Sequence, residues 1–132
     1  MRQTTRWAWG LLALTVMLAG CTKLRDEKTV SVEANKAIGV MAVPAQTAAM
    51  KITVTATSST APVTLYLAPT ADADAVMDQL DVGKDSPKVL FKSSQGVNVT
   101  LEGSMPLNTE CTVIAFNEGD QTTEVKASII GK

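Results

Sequence analysis

Histidine is absent from all 132 residues. That removes the commonest general base, the imidazole of a serine triad and the commonest zinc ligand in one step. Cysteine occurs twice, as Cys21 and Cys111, too few for a thiolate metal centre, and a cysteine nucleophile has no imidazole to activate it. Of the aromatics, Trp7 and Trp9 fall in the N-terminal apolar run, which leaves Tyr66, Phe91 and Phe116 for the rest. Binding surfaces built on exposed Tyr and Trp need more than that. Basic residues number 12 against 13 acidic ones, and the lysines are scattered from Lys23 to Lys132 without a run. A nucleic-acid footprint needs them clustered on one face. The composition therefore points to no enzyme, no cofactor, no nucleic acid and no small-molecule substrate.

The one long apolar run is also short. Residues 7–18 are broken only by Gly10 and Thr15, and about a dozen apolar residues fall below the roughly 20 that a spanning helix needs. With Arg2 and Arg6 ahead of it, this is the length and charge pattern of a signal peptide. The run closes on Leu18, Ala19, Gly20 and Cys21, which resembles the lipobox of bacterial lipoproteins. The resemblance implies a diacylglycerol on the Cys21 sulfur, cleavage before Cys21 and acylation of the new amine. The expected product is anchored and not spanning, because each buried CH₂ contributes about 0.8 kcal/mol and two or more chains hold durably. In that family an Asp directly after the cysteine retains the protein at the inner membrane. Thr22 stands there, so the resemblance favours the outer membrane, on its periplasmic or surface face.

Loss of residues 1–20 removes Arg2 and Arg6 and leaves 10 basic against 13 acidic residues. What remains is one domain's worth of chain. Residues 21–28 are polar with alternating charge and read as the lipidated cysteine and a short tether. Residues 29–132 read as the folded domain. If Cys21 is acylated, Cys111 has no partner within the chain, and its place in an apolar run points to packing.

Period-two alternation with abundant β-branched residues dominates from Thr29 onward. Met50, Ile52, Val54 and Ala56 alternate with Lys51, Thr53, Thr55 and Thr57; Val63, Leu65 and Leu67 follow a loop at 58–62, and a hairpin between these runs is expected. A second pair is expected between 87–92 and 96–102, with Val97, Val99 and Leu101 inward. Strands at 110–116 and 122–130 follow, joined by a turn at 117–120. One stretch departs from the pattern: Ala73, Val76, Met77 and Leu80 recur at i, i+3, i+4 and i+7, predicting a helix over about 71–82, with Thr70 as its cap and Gly83 ending it. Some seven or eight short strands with Gly and Pro turns predict an all-β antiparallel sandwich carrying one short inserted helix.

Leu101, Pro106, Thr109, Cys111, Val113, Ala115 and Asn117 follow a pattern that resembles the end of a fibronectin type III or related immunoglobulin-like domain, from an E strand through a Pro-containing corner into an F strand. Ile52 to Ala56 and Val63 to Leu67 then correspond to strands B and C. The family's core Trp on strand B is missing, and Cys111 stands where the corner tyrosine is expected, so no tyrosine corner can form.

Few side chains qualify as site candidates. Asp74, Asp78 and Asp81 share one face of the helix, within an acidic series running from Asp72 to Asp85. Like charges at that spacing cost roughly 0.2 to 0.5 kcal/mol per pair, which a bound cation such as Ca²⁺ would relieve. The spacing departs from a calcium loop, and a solvated face opposite the apolar stripe is the competing reading. Glu102, Glu110, Glu118, Asp120 and Glu124 could supply a carboxylate pair for hydrolysis, but their spacing is that of outward strand and turn positions. Asn98, Val99 and Thr100 match a glycosylation acceptor and read as an ordinary outward Asn. The loops 58–62 and 93–96, or a sheet edge, are where another envelope protein could bind. The sequence thus predicts a lipid-anchored, non-enzymatic structural or interaction module, with a cation-binding domain and a carboxylate-only hydrolase as alternatives.

Overall fold

The computed structural model describes residues 24–132. Its strands are β1 (Leu24–Val32), β2 (Ala37–Val43), β3 (Lys51–Ser58), β4 (Val63–Pro69), β5 (Phe91–Lys92), β6 (Asn98–Ser104), β7 (Cys111–Asn117) and β8 (Thr123–Gly131). Between β4 and β5 lie a 3-10 turn (Thr70–Asp72) and one helix, α1 (Ala73–Asp81). The strands form two four-stranded antiparallel sheets, ordered β1-β8-β3-β6 and β2-β7-β4-β5. The described residues form an all-β antiparallel sandwich of eight strands with one short inserted helix.

β3 pairs with β6 and β4 with β7, as the B–E and C–F strands of an immunoglobulin-like sandwich do. β8 closes the first sheet between β1 and β3, while β2 takes the place beside β7. Apart from β4 and β5, successive strands sit in opposite sheets. This interleaving is the double Greek key of a jelly roll. It corrects the expected hairpins. β3 and β4 face each other across the core, β5 pairs with β4 and not β6, and the 117–120 turn carries the chain from one sheet to the other. Strand alternation fixes which side chains point inward, but it does not say which sheet a strand joins.

The core between the sheets takes the inward set of each strand, including Ile52, Val54, Val63, Leu65, Leu67, Val99, Leu101, Val113, Val125 and Ile129. A second cluster lies outside the β2-β7-β4-β5 sheet, where Ala73, Val76, Met77 and Leu80 of α1 pack on Tyr66, Ala68 and Ile114. The predicted helical stripe is thus the buried face of α1. It also explains why β4 and β7 are buried on both faces while β3 alternates. Gly83, at φ +79°, ends the helix. Its N–H bonds the Leu80 carbonyl and the Lys84 N–H that of Gln79, both at 2.9 Å, the pairing of a Schellman motif. Thr70 is not the cap: it lies in the 3-10 turn, and its hydroxyl bonds that of Thr112 at 2.9 Å.

Two further expectations change. The expected tether over 21–28 is, from Leu24 on, the first half of β1, paired with β8 from Leu24 opposite Gly131 to Val32 opposite Thr123. Val97 precedes β6 and is 47% exposed, so the inward series of that strand begins at Val99.

Candidate functional site

The lipobox residues Leu18, Ala19, Gly20 and Cys21 lie outside the described residues. The other candidates fall on the sandwich, and several are engaged by its own backbone or side chains.

Asp81, the last residue of α1, accepts the backbone N–H of Ala37 at 2.9 Å. Ala37 begins β2, an edge strand, so the carboxylate satisfies an edge amide and ties the helix end to the sheet. Asp72 and Asp85 at the ends of the acidic series meet Lys88 at 3.5 Å and Lys92 at 3.8 Å. Among the described residues no three His, Cys, Asp or Glu side chains form a group that could hold a metal ion. Asp74, Asp78 and Asp81 share a helix and do not converge as a ligand set.

The five carboxylates weighed for hydrolysis are dispersed. Glu102 points outward from β6 opposite Thr53, and Glu110 precedes β7 at one end of the sandwich. Glu118, Asp120 and Glu124 lie at the opposite end, around the turn into β8. Glu118 accepts the Thr64 hydroxyl at 2.6 Å. Asn98 begins β6, where its Oδ1 accepts the Thr57 hydroxyl at 3.3 Å across to β3.

The two loops are held internally as well. In 58–62, the buried Ser58 hydroxyl donates to the Ala61 carbonyl and lies 2.6 Å from the Thr123 hydroxyl oxygen. That same Thr123 oxygen accepts the N–H groups of Thr60 at 2.9 Å and Ala61 at 3.2 Å. In 93–96, the Ser93 hydroxyl accepts the Leu65 N–H at 2.9 Å and donates to the Ser94 carbonyl at 2.7 Å.

Cys111 is buried and reduced. Burial, with Glu110 adding to it, pushes its thiol up to about 11, so the thiolate needed for nucleophilic or redox chemistry is scarce near neutrality. Packing is the role its position supports.

Sequence reasoning missed two clusters. Lys92 lies 5.7 Å from the centre of the Tyr66 ring, close enough for a cation–π contact, and burial, then Glu118, then Asp85 push the Tyr66 hydroxyl up to about 12. Asn117 donates through Nδ2 to the carbonyls of Val32 at 3.0 Å and Gln121 at 2.7 Å, and its Oδ1 accepts the Gly119 N–H at 2.8 Å. One amide side chain thus joins β1 to the turn after β7. The only sequence signal for it was an Asn in a turn, a residue that bonds its neighbours' backbone. A shallow depression of about 410 Å³ lies along β1 and β8, lined by Arg25, Asp26, Glu27, Ser128, Ile129 and Ile130. It is open to solvent and flanked by the Glu27–Lys126 pair at 3.8 Å.

The chain matches no family model, and no curated protein sequence is similar to it. Solved structures resemble it in outline. The pre-peptidase C-terminal domain of collagenase from Bacillus anthracis aligns with a TM-score of 0.45 at 9% identity, over 82% of this chain and 87% of that one. A Bacillus endospore appendage protein of disulfide-linked pili gives 0.46 at 12% identity, over 83% and 87%. The capsid of Helicobacter pylori bacteriophage KHP30 gives 0.45 at 11% identity, over 83% and 90%. At these values the likeness is one of β architecture.

Proposed function

We propose that this chain is a lipid-anchored bacterial envelope protein whose sandwich is a non-catalytic structural or interaction module. The observation that carries the reading is Leu18-Ala19-Gly20-Cys21 at the end of an apolar run preceded by Arg2 and Arg6. Within the domain, several groups that could have done chemistry are occupied with architecture. Asp81 holds an edge amide, Ser58 and Ser93 hold their own loops, and the Cys111 thiol is buried. A partner would be another envelope protein, engaged at an exposed sheet edge. Thr22 after the cysteine favours the outer membrane over the inner.

The test is intact-mass and peptide mass spectrometry of wild type beside Cys21→Ser, with membrane fractionation of both. Acylation at Cys21 and loss of membrane association in Cys21→Ser are expected. A wild-type N-terminal peptide cleaved elsewhere, or carrying no acyl chain, overturns the reading.

A further inference from the structure

The two ends of the sandwich expose different side chains. At one end Leu24 lies opposite Gly131, Lys51 and Lys132 exchange backbone hydrogen bonds of 2.9 and 3.0 Å, and Gln46 bridges to Leu107. Lys51 and Arg25 are exposed there, with Leu107 54% and Ile130 39% exposed. Acidic groups lie at the same end too: Asp26 beside Arg25, Asp72 at 3.5 Å from Lys88, Asp74 in the first turn of α1, Glu110 before β7, and Glu102 two residues above the end of β6. The opposite end gathers Glu33, Asp81, Glu118, Asp120 and Glu124 around Lys36 and Lys84. Val82 and Val97 are exposed singly at that end.

We propose that the Leu24 end rests against an anionic lipid surface, with Leu107 at the contact and Lys51 and Arg25 beside the phosphate headgroups. This rests on the lipid-anchor reading of Cys21. Reach decides which end faces the bilayer. Three steps of chain separate Cys21 from Leu24, at most about 11 Å at 3.8 Å per Cα step. β1 has nine residues and spans about 30 Å at roughly 3.3 Å each. An anchor on so short a leash brings only the Leu24 end to the surface. It also holds Lys51 and Arg25 within about a Debye length of the headgroups, where each basic side chain strengthens association about fivefold.

The processed chain has no tryptophan, since both lie before residue 21, so one introduced Trp reports its own surroundings. Leu107→Trp and Asp120→Trp, each made in the full protein and purified in its processed form, are reconstituted into phosphatidylcholine vesicles with and without phosphatidylglycerol. Quenching by lipids brominated on the acyl chain is then read. Trp at 107 is expected to be blue-shifted and quenched, more strongly with phosphatidylglycerol, and Trp at 120 to be neither. Lys51→Glu added to Leu107→Trp should lower the quenching severalfold in the anionic vesicles only. Equal emission from both positions, or quenching at 120, overturns the orientation. The mass of the Cys21 peptide from the same preparation separates the two readings. An acylated chain with Trp at 107 unquenched overturns the orientation alone, and an unacylated chain overturns the anchor and the orientation with it.

Discussion

The Asp81 carboxylate and the Ala37 amide, 44 residues apart, meet at 2.9 Å where the end of α1 reaches edge strand β2. Removing the acceptor leaves a part-buried N–H without its partner, a cost of about 1–3 kcal/mol. Asp81→Ala is therefore expected to lower the free energy of unfolding in urea by about that amount, while Asp81→Asn, which keeps a carbonyl acceptor, recovers most of it. Equal loss in both variants would show that charge, and not the hydrogen bond, matters there.

A second coupling joins edge strands of opposite sheets. A Cβ on Gly103 would lie 2.5 Å from Cδ2 and 2.6 Å from Cγ of Phe91, so the ring of β5 occupies the space that β6 leaves by carrying glycine. Gly103→Ala is expected to destabilise by about 1–3 kcal/mol through overpacking. In the Phe91→Ala background the same change should cost clearly less, because Cγ, Cδ2 and Cε2 of the ring, the atoms it strikes, are gone. A double-mutant cycle in urea reads the coupling, and strictly additive losses would contradict the contact.

Alkaline pH should loosen the fold in two stages. Burial first, then Glu110, raises the Cys111 thiol from 9.0 to about 11. Burial first, then Glu118 and Asp85, raises the Tyr66 hydroxyl from 10.0 to about 12. Between each pair of values the unfolded chain has released a proton that the folded chain still holds, so raising the pH favours unfolding by about 1.4 kcal/mol per pH unit and group. The stabilisation is whole below pH 9, and it is lost between about 9 and 11 through Cys111 and between about 10 and 12 through Tyr66. In Cys111→Ala the decline in urea midpoint should begin about one pH unit higher than in wild type. Coincident onsets in the two proteins would remove Cys111 from the account.

Faces were legible in the sequence, and partners were not. The alternation from Lys51 to Thr57 and the stripe Ala73, Val76, Met77, Leu80 gave the correct buried sets, because burial follows the local periods of two and 3.6. Sheet membership depends on crossings between distant segments, which is why the hairpin expected from β3 and β4 proved to be two strands facing across the core. The run from Arg25 to Lys28 reads as tether because β1 is an edge strand. Its inward positions include the half-buried Asp26 and Lys28, charges that discourage pairing with a further strand. The acidic helix was legible as a charge pattern, but the task of Asp81 depends on where β2 begins. That position follows from the tertiary fold.

Thr123 is the buried first residue of β8. Its hydroxyl oxygen accepts two backbone amides, Thr60 at 2.9 Å and Ala61 at 3.2 Å, and lies 2.6 Å from the hydroxyl oxygen of Ser58. One oxygen therefore organises the turn that carries the chain from β3 to β4 between the sheets. Thr123→Val keeps the shape and the β-branch but removes the acceptor, leaving two amides and a buried hydroxyl to find others. A loss of about 2–4 kcal/mol is expected, more than for a single hydrogen bond, since each stranded polar group costs about 1–3 kcal/mol and part of the loop can turn to water. Thr123→Ser restores the oxygen and should return most of the stability, short of the methyl group's packing. Amide exchange at Thr60 and Ala61 gives the local readout: fast in Thr123→Val and slow in wild type and Thr123→Ser. Unchanged exchange in the valine variant would mean that the loop is held by Ser58 and the backbone bond from Ser59 to Glu124 without help from Thr123.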